Sequence, residues 1–164
     1  MALLLSACQP TYNWRDIGFE GTNVKAQLPC KPDRTQKEVT MAQTKVTLQV
    51  AGCEAGGGMW VVMTGQLPAN VDAAEVLQGW QAATWRTLQA QNPAQQTWPA
   101  PKALPGAVRV RAQGLQPNGQ PTQAQGVWVA WPEGEGVQWV NAMVYQSQIP
   151  GEMADTFFES IHQP

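Results

Sequence analysis

Ser6, Ser147 and Ser160 are the serines of this 164-residue chain, and His162 is its single histidine. A hydrolytic serine needs a base in contact and a third group that orients the base. Ser160 and His162 stand two apart, so on a helix they point to different faces. No Gly-x-Ser-x-Gly is present either. His162 reads as a cation suited to the end of a helix. Carboxylate chemistry needs two acids in one cleft. Glu133 and Glu135 sit in a turn, and Asp155 and Glu159 are four apart on a predicted helix, so both pairs read as solvated surface. Calcium would need a cluster of oxygen ligands, and zinc would need more Cys or His than the chain offers. Gly56-Gly57-Gly58 lacks a following Lys-Ser/Thr and leads into a strand, which makes it a hairpin turn rather than a phosphate cradle. These residues predict no catalytic, cofactor or metal site and a protein that is not an enzyme. The alternatives are an enzyme with an unfamiliar carboxylate site, or a small-ligand binder between sheet and helix.

The remaining reactive side chains are three cysteines, Cys8, Cys30 and Cys53. The chain opens Met1-Ala2-Leu3-Leu4-Leu5-Ser6-Ala7-Cys8. Leu5-Ser6-Ala7-Cys8 resembles a bacterial lipobox, in which a peptidase cuts before a cysteine whose sulfur carries diacylglycerol. The resemblance implies lipidation of Cys8 and a membrane anchor facing the periplasm. Gln9 is not acidic, which under the same resemblance implies the outer membrane. The apolar run spans Ala2 to Ala7 with no Lys or Arg before it, shorter than the roughly 7–15 residues of a secretory signal. The expectation is therefore a start assigned too far downstream, with residues 1–11 a truncated signal and tether. The other reading is an apolar N-terminus with a buried Cys8.

Lipidation of Cys8 would leave Cys30 and Cys53 as a pair. Each follows a predicted strand, in Leu28-Pro29-Cys30-Lys31-Pro32 and Ala51-Gly52-Cys53-Glu54. A bond between them is worth about 3 kcal/mol in the chain-entropy model. The alternatives are two buried thiols or a redox pair, though redox pairs are usually close in sequence. For an exported chain the expectation is a structural disulfide.

Composition narrows the partners. Hydrophobic residues make up 43% of the chain, enough for a core, and residues 12–164 read as a single domain. The net charge of −2 and the scattered Lys and Arg give no nucleic-acid footprint. Arg109 and Arg111 alternate along one strand face, too few for such a role. Charged residues are only 13%, and glutamine supplies much of the polar surface.

The elements that would position any site read as follows. Val24 to Leu28 is a strand stopped by Pro29, and residues 31–43 are polar and irregular. Val46-Thr47-Leu48-Gln49-Val50 alternates as a half-buried strand and pairs across the glycine turn with Met59 to Thr64. Asp72 and Glu75 have capping-box spacing at the head of a helix over 71–89, with Asn70 as a rival cap and Ala73, Leu77, Trp80, Thr84 and Leu88 on one face. Gly79 in that helix suggests close packing on the sheet. Residues 92–106 form a proline-rich loop holding Trp98. Strands over 107–112, 123–131 and 137–145 form a meander, and Pro150 opens a helix over 150–162 that buries Met153, Phe157 and Ile161. This order predicts an α+β class: an antiparallel β-sheet with two main helices packed on it. It resembles the PsbP-like fold, a family that includes small bacterial lipoproteins, on the strand ending in Pro29, the hairpin 46–67, the helix, the meander and the terminal Phe157-Phe158-Glu159-Ser160-Ile161.

Of the eight tryptophans, Trp80, Trp128 and Trp139 fall on core faces. Trp98 has no periodic reason to be buried. It either caps the core or anchors a partner. The functional expectation is a non-catalytic envelope lipoprotein that binds or scaffolds a periplasmic protein, held to the membrane through its lipid.

Overall fold

A computed structural model describes residues 10–41 and 43–164. The chain runs through β1 (Arg15–Gly18), β2 (Lys25–Leu28), β3 (Asp33–Met41), β4 (Thr44–Ala55) and β5 (Gly58–Leu67) to α1 (Ala73–Thr87). It continues through β6 (Gln91–Thr97), β7 (Val108–Leu115), β8 (Pro121–Glu133) and β9 (Gly136–Gln146) to α2 (Gly151–Glu159). Seven strands form one antiparallel sheet in the order β3-β4-β5-β9-β8-β7-β6, and β1 pairs with β2 as a separate ribbon.

The sheet is covered on both faces. Alternation sends successive side chains to opposite sides. On one side Ala51, Cys53, Trp60, Val62, Val127, Val129, Val140 and Val144 pack with Phe157, Phe158 and the β1–β2 ribbon. On the other, Val46, Leu48, Leu67, Ala130 and Trp139 lie beneath α1. The middle of β8 and β9 is consequently buried without a break, at Gly126–Trp131 and Gln138–Val144. The tryptophans divide evenly. Trp14, Trp60, Trp98 and Trp131 serve the α2 side, and Trp80, Trp85, Trp128 and Trp139 serve the α1 side. Trp128 and Trp131 face opposite sides of β8, and both are buried.

The expected α+β class is corrected to a β-rich fold. Among the described residues strand accounts for 51% and helix for 16%, with two short helices. Most of the extra strand lies in two stretches read as irregular, and β1 lies outside every predicted strand. Residues 31–43 contain β3, and the loop over 92–106 holds all of β6 but its first residue, Gln91. Both β3 and β6 are edge strands, hydrogen-bonded to a strand on one side only among the described residues. The first six residues of β3 and all of β6 are exposed, so neither needs an apolar alternation. Periodicity reports burial, and a solvated edge strand has none to report.

The helices pack less symmetrically than their sequences suggest. In α2, Ala154, Phe157 and Phe158 are fully buried, while Met153 is half-buried. In α1 only Val76 is buried, and the predicted face of Ala73, Leu77, Trp80 and Thr84 is half-buried. Asp72 caps α1 by accepting from the Glu75 amide at 3.2 Å. Gly79 is not a packing residue, because a Cβ there would meet nothing within 4 Å.

Candidate functional site

The residues singled out for chemistry are dispersed. Cys8 lies outside the described residues. Cys30 and Cys53 are bonded to each other, with Cα atoms 5.9 Å apart, consistent with the pairing expected of them. The bond ties the end of the β1–β2 ribbon to β4 of the main sheet. The Ser160 hydroxyl accepts from the Gln27 amide at 2.9 Å and donates to the Phe157 carbonyl at 2.6 Å. His162 places its Nδ1 2.8 Å from the Ser160 carbonyl, not the hydroxyl, and its backbone pairs with Lys25. Glu133 and Glu135 flank the tight β8–β9 turn at Gly134. Among the described residues no three His, Cys, Asp or Glu side chains gather as a metal site.

Trp98 folds back onto the core and remains half-buried. Its ring meets Phe158 edge-on at 6.5 Å. Arg109 lies over both, 5.8 Å from the Trp98 centroid and 5.0 Å from that of Phe158. The same guanidinium donates to Asp155 Oδ1 at 2.6 Å and Gln125 Oε1 at 3.1 Å. Arg109 thus clamps α2 and the segment after β6 onto the sheet. The sequence marks it only by its place in an alternating strand.

A concavity with largely apolar walls lies at the foot of α1. It is a cleft of about 620 Å³ between the β4–β5 turn and the ends of β7, β8 and β9. Met59, Leu88, Leu115 and Tyr145 supply its apolar walls, with Thr122 and Glu54 among the polar ones. Met59 is 40% exposed, the one large hydrophobic among the described residues left that open. Burial pushes the Tyr145 phenol up to about 12.

Local sequence builds this cleft. Gly56 and Gly57 turn with φ of 62° and 81°, the backbone of a two-residue hairpin that favours glycine. Gly58 leaves room for Gln146, whose Nε2 donates to the Gly56 carbonyl at 2.7 Å. On the opposite wall, α1 ends against β7 through Leu115 N–H to Leu88 C=O at 2.7 Å. None of Met59, Leu88, Leu115 and Tyr145 is distinguished by sequence. Met59 and Tyr145 look like strand residues, and Leu88 like a helix-face residue.

The described chain approaches this cleft from its N-terminal end. The Tyr12 ring meets Trp60 edge-on at 5.9 Å, and a Cβ at Gly56 would run into the Tyr12 hydroxyl. Tyr12 therefore abuts the turn that rims the cleft. Compared with known proteins, the chain matches no family model, no curated protein and no solved structure.

Proposed function

We propose that this protein is a non-catalytic lipoprotein of the bacterial envelope, anchored through Cys8, that holds a periplasmic protein in the cleft at the foot of α1. The observation that carries the reading is the cleft itself, open at Met59 and walled by Leu88, Leu115 and Tyr145. Aromatic and methionine side chains around an apolar concavity are what partner surfaces use. The lipobox-like Leu5-Ser6-Ala7-Cys8 supports the anchor, and a Cys30–Cys53 bond suits an oxidising compartment. Three residues lie between Cys8 and Tyr12, and the four steps reach at most about 14 Å. An anchor at Cys8 would hold the cleft end of the sheet close to the bilayer. The resemblance to PsbP-like proteins suggests no particular partner, because that family's functions are diverse.

A photo-crosslinking residue at Met59, with one at Glu135 as control, tests this in native membranes. A single protein captured from Met59 and not from Glu135 is expected. Equal capture from both positions, or none from Met59, would refute the cleft as the docking site. Mass spectrometry of the mature N-terminus should show an acylated Cys8, and a free thiol there would remove the anchor.

A second reading has its own support. The cleft volume of about 620 Å³ falls in the range of small-molecule sites. In that case native mass spectrometry would show a small adduct that Met59→Glu abolishes, with no protein crosslink.

A further inference from the structure

A sheet of seven strands has two free edges, and this protein treats them differently. β6 is blunted. Pro93 interrupts it, Asn92 adopts φ 51°, and its register against β7 shifts between Gln91 and Ala94. Proline and a bulge are the usual devices that stop an edge from pairing with another chain. β3 has neither. It pairs with β4 in unbroken register from Asp33↔Gly52 to Met41↔Thr44, and its outer edge is free of strands among the described residues.

Charge is the remaining device, and here it does not oppose every partner. β3 reads Asp33-Arg34-Thr35-Gln36-Lys37-Glu38-Val39. An antiparallel copy related by a two-fold axis through one residue pairs positions equidistant from it, so paired side chains share a face of the joined sheet. With the axis at Gln36, Arg34 stands opposite Glu38 twice, Thr35 opposite Lys37, and Asp33 opposite Val39. Axes at Arg34, Lys37 or Glu38 set like charges directly against each other, which is destabilising. An axis at Thr35 pairs Asp33 with Lys37 but spans only 33–37, and then meets Pro32, which has no N–H to give. The Gln36 register spans 33–39.

Arg34 is already held in place. Its Nη1 donates to the Gly18 carbonyl at 2.8 Å, and its guanidinium lies 5.8 Å from the Phe19 centroid. A guanidinium has further donors for a carboxylate. Among the described residues Glu38 has only an open pairing with Lys45 at 3.2 Å, where the two side chains are 59% and 81% exposed.

We propose that a second copy of this chain pairs with β3 antiparallel about Gln36, joining two seven-stranded sheets into one continuous sheet. This self-association is independent of what occupies the cleft.

Sedimentation velocity of the full chain carrying Cys8→Ser, over a concentration series into the millimolar range, should show a reversible monomer–dimer equilibrium. Arg34→Glu or Glu38→Arg alone should weaken it about tenfold, since each turns two attractive cross-strand pairs repulsive. The double variant should recover it. Gln36→Cys in the same background should form a reducible crosslinked dimer, because residues on the axis face each other directly, and Thr35→Cys should not. A monomer at every concentration would overturn the proposal. So would a dimer indifferent to both single charge reversals, a double variant that fails to recover, or crosslinking from position 35 instead of 36. Circular dichroism of each variant separates lost pairing from lost folding.

Discussion

The Leu115 amide donates to the Leu88 carbonyl at 2.7 Å, which seats the end of α1 on β7 at the wall of the cleft. The neighbouring Gly114 permits that contact, since a Cβ there would stand 2.6 Å from the same carbonyl oxygen. Gly114→Ala should therefore cost about 1–3 kcal/mol, the usual range for overpacking. Gly79→Ala is the counterpart in α1, with no neighbour to strike. It should stabilise by about 0.5–1 kcal/mol through helix propensity. Urea denaturation of the two variants checks both signs.

The Cys30–Cys53 bond holds the β1–β2 ribbon to the main sheet across 23 positions of sequence. Replacing both by Ser should lower stability by about 2–5 kcal/mol. Reductant should destabilise the wild type comparably and leave the double variant unchanged. Alkylation of both thiols in unreduced protein from its native compartment would show that the bond does not form there.

Phe157 is fully buried between Trp60 and Phe158, with ring centroids 5.4 and 5.2 Å away. Phe157→Ala should cost about 3–5 kcal/mol. Leu77 in α1 is half-buried, so Leu77→Ala should fall below the roughly 2–5 kcal/mol of a core leucine. Equal losses in thermal melts would mean that α1 packs as tightly as α2.

Tyr145 sets a pH dependence. Its folded-state phenol is pushed up to about 12 from the ordinary 10. Folding thus favours the protonated form, and the associated stability is fully present below pH 10. It is lost as pH rises from 10 through 12, where the unfolded chain ionises first. Tyr145→Phe should flatten the fall in stability over that window. It should also remove the phenolate absorbance that emerges near pH 12.

Several elements are legible in the sequence because their causes are local or periodic. The alternation of Val46, Leu48 and Val50 marks β4, and the buried Phe157 marks α2, which ends at Glu159 rather than at 162, leaving Ile161 buried just beyond it. The Gln36 and Gln95 strands are not legible, because the first six side chains of β3 and all of those of β6 face water and backbone pairing makes them strands. Trp98 illustrates a residue that sequence left between two roles. Phe158, sixty positions away, and Arg109 from β7 decide that it packs on the core.

By itself the sequence determined the local geometry: the Asp72 cap, the left-handed turn at Gly56 and Gly57, and the stop of β2 before Pro29. Each depends on a few adjacent residues and the sterics of their own backbone. Tertiary structure alone decided that α1 and α2 lie on opposite faces, that β3 and β6 close the sheet, and that Met59, Leu88, Leu115 and Tyr145 surround one cleft. Those relations come from pairing and packing between distant segments, where the free energy depends on which surfaces meet and not on any one segment's composition.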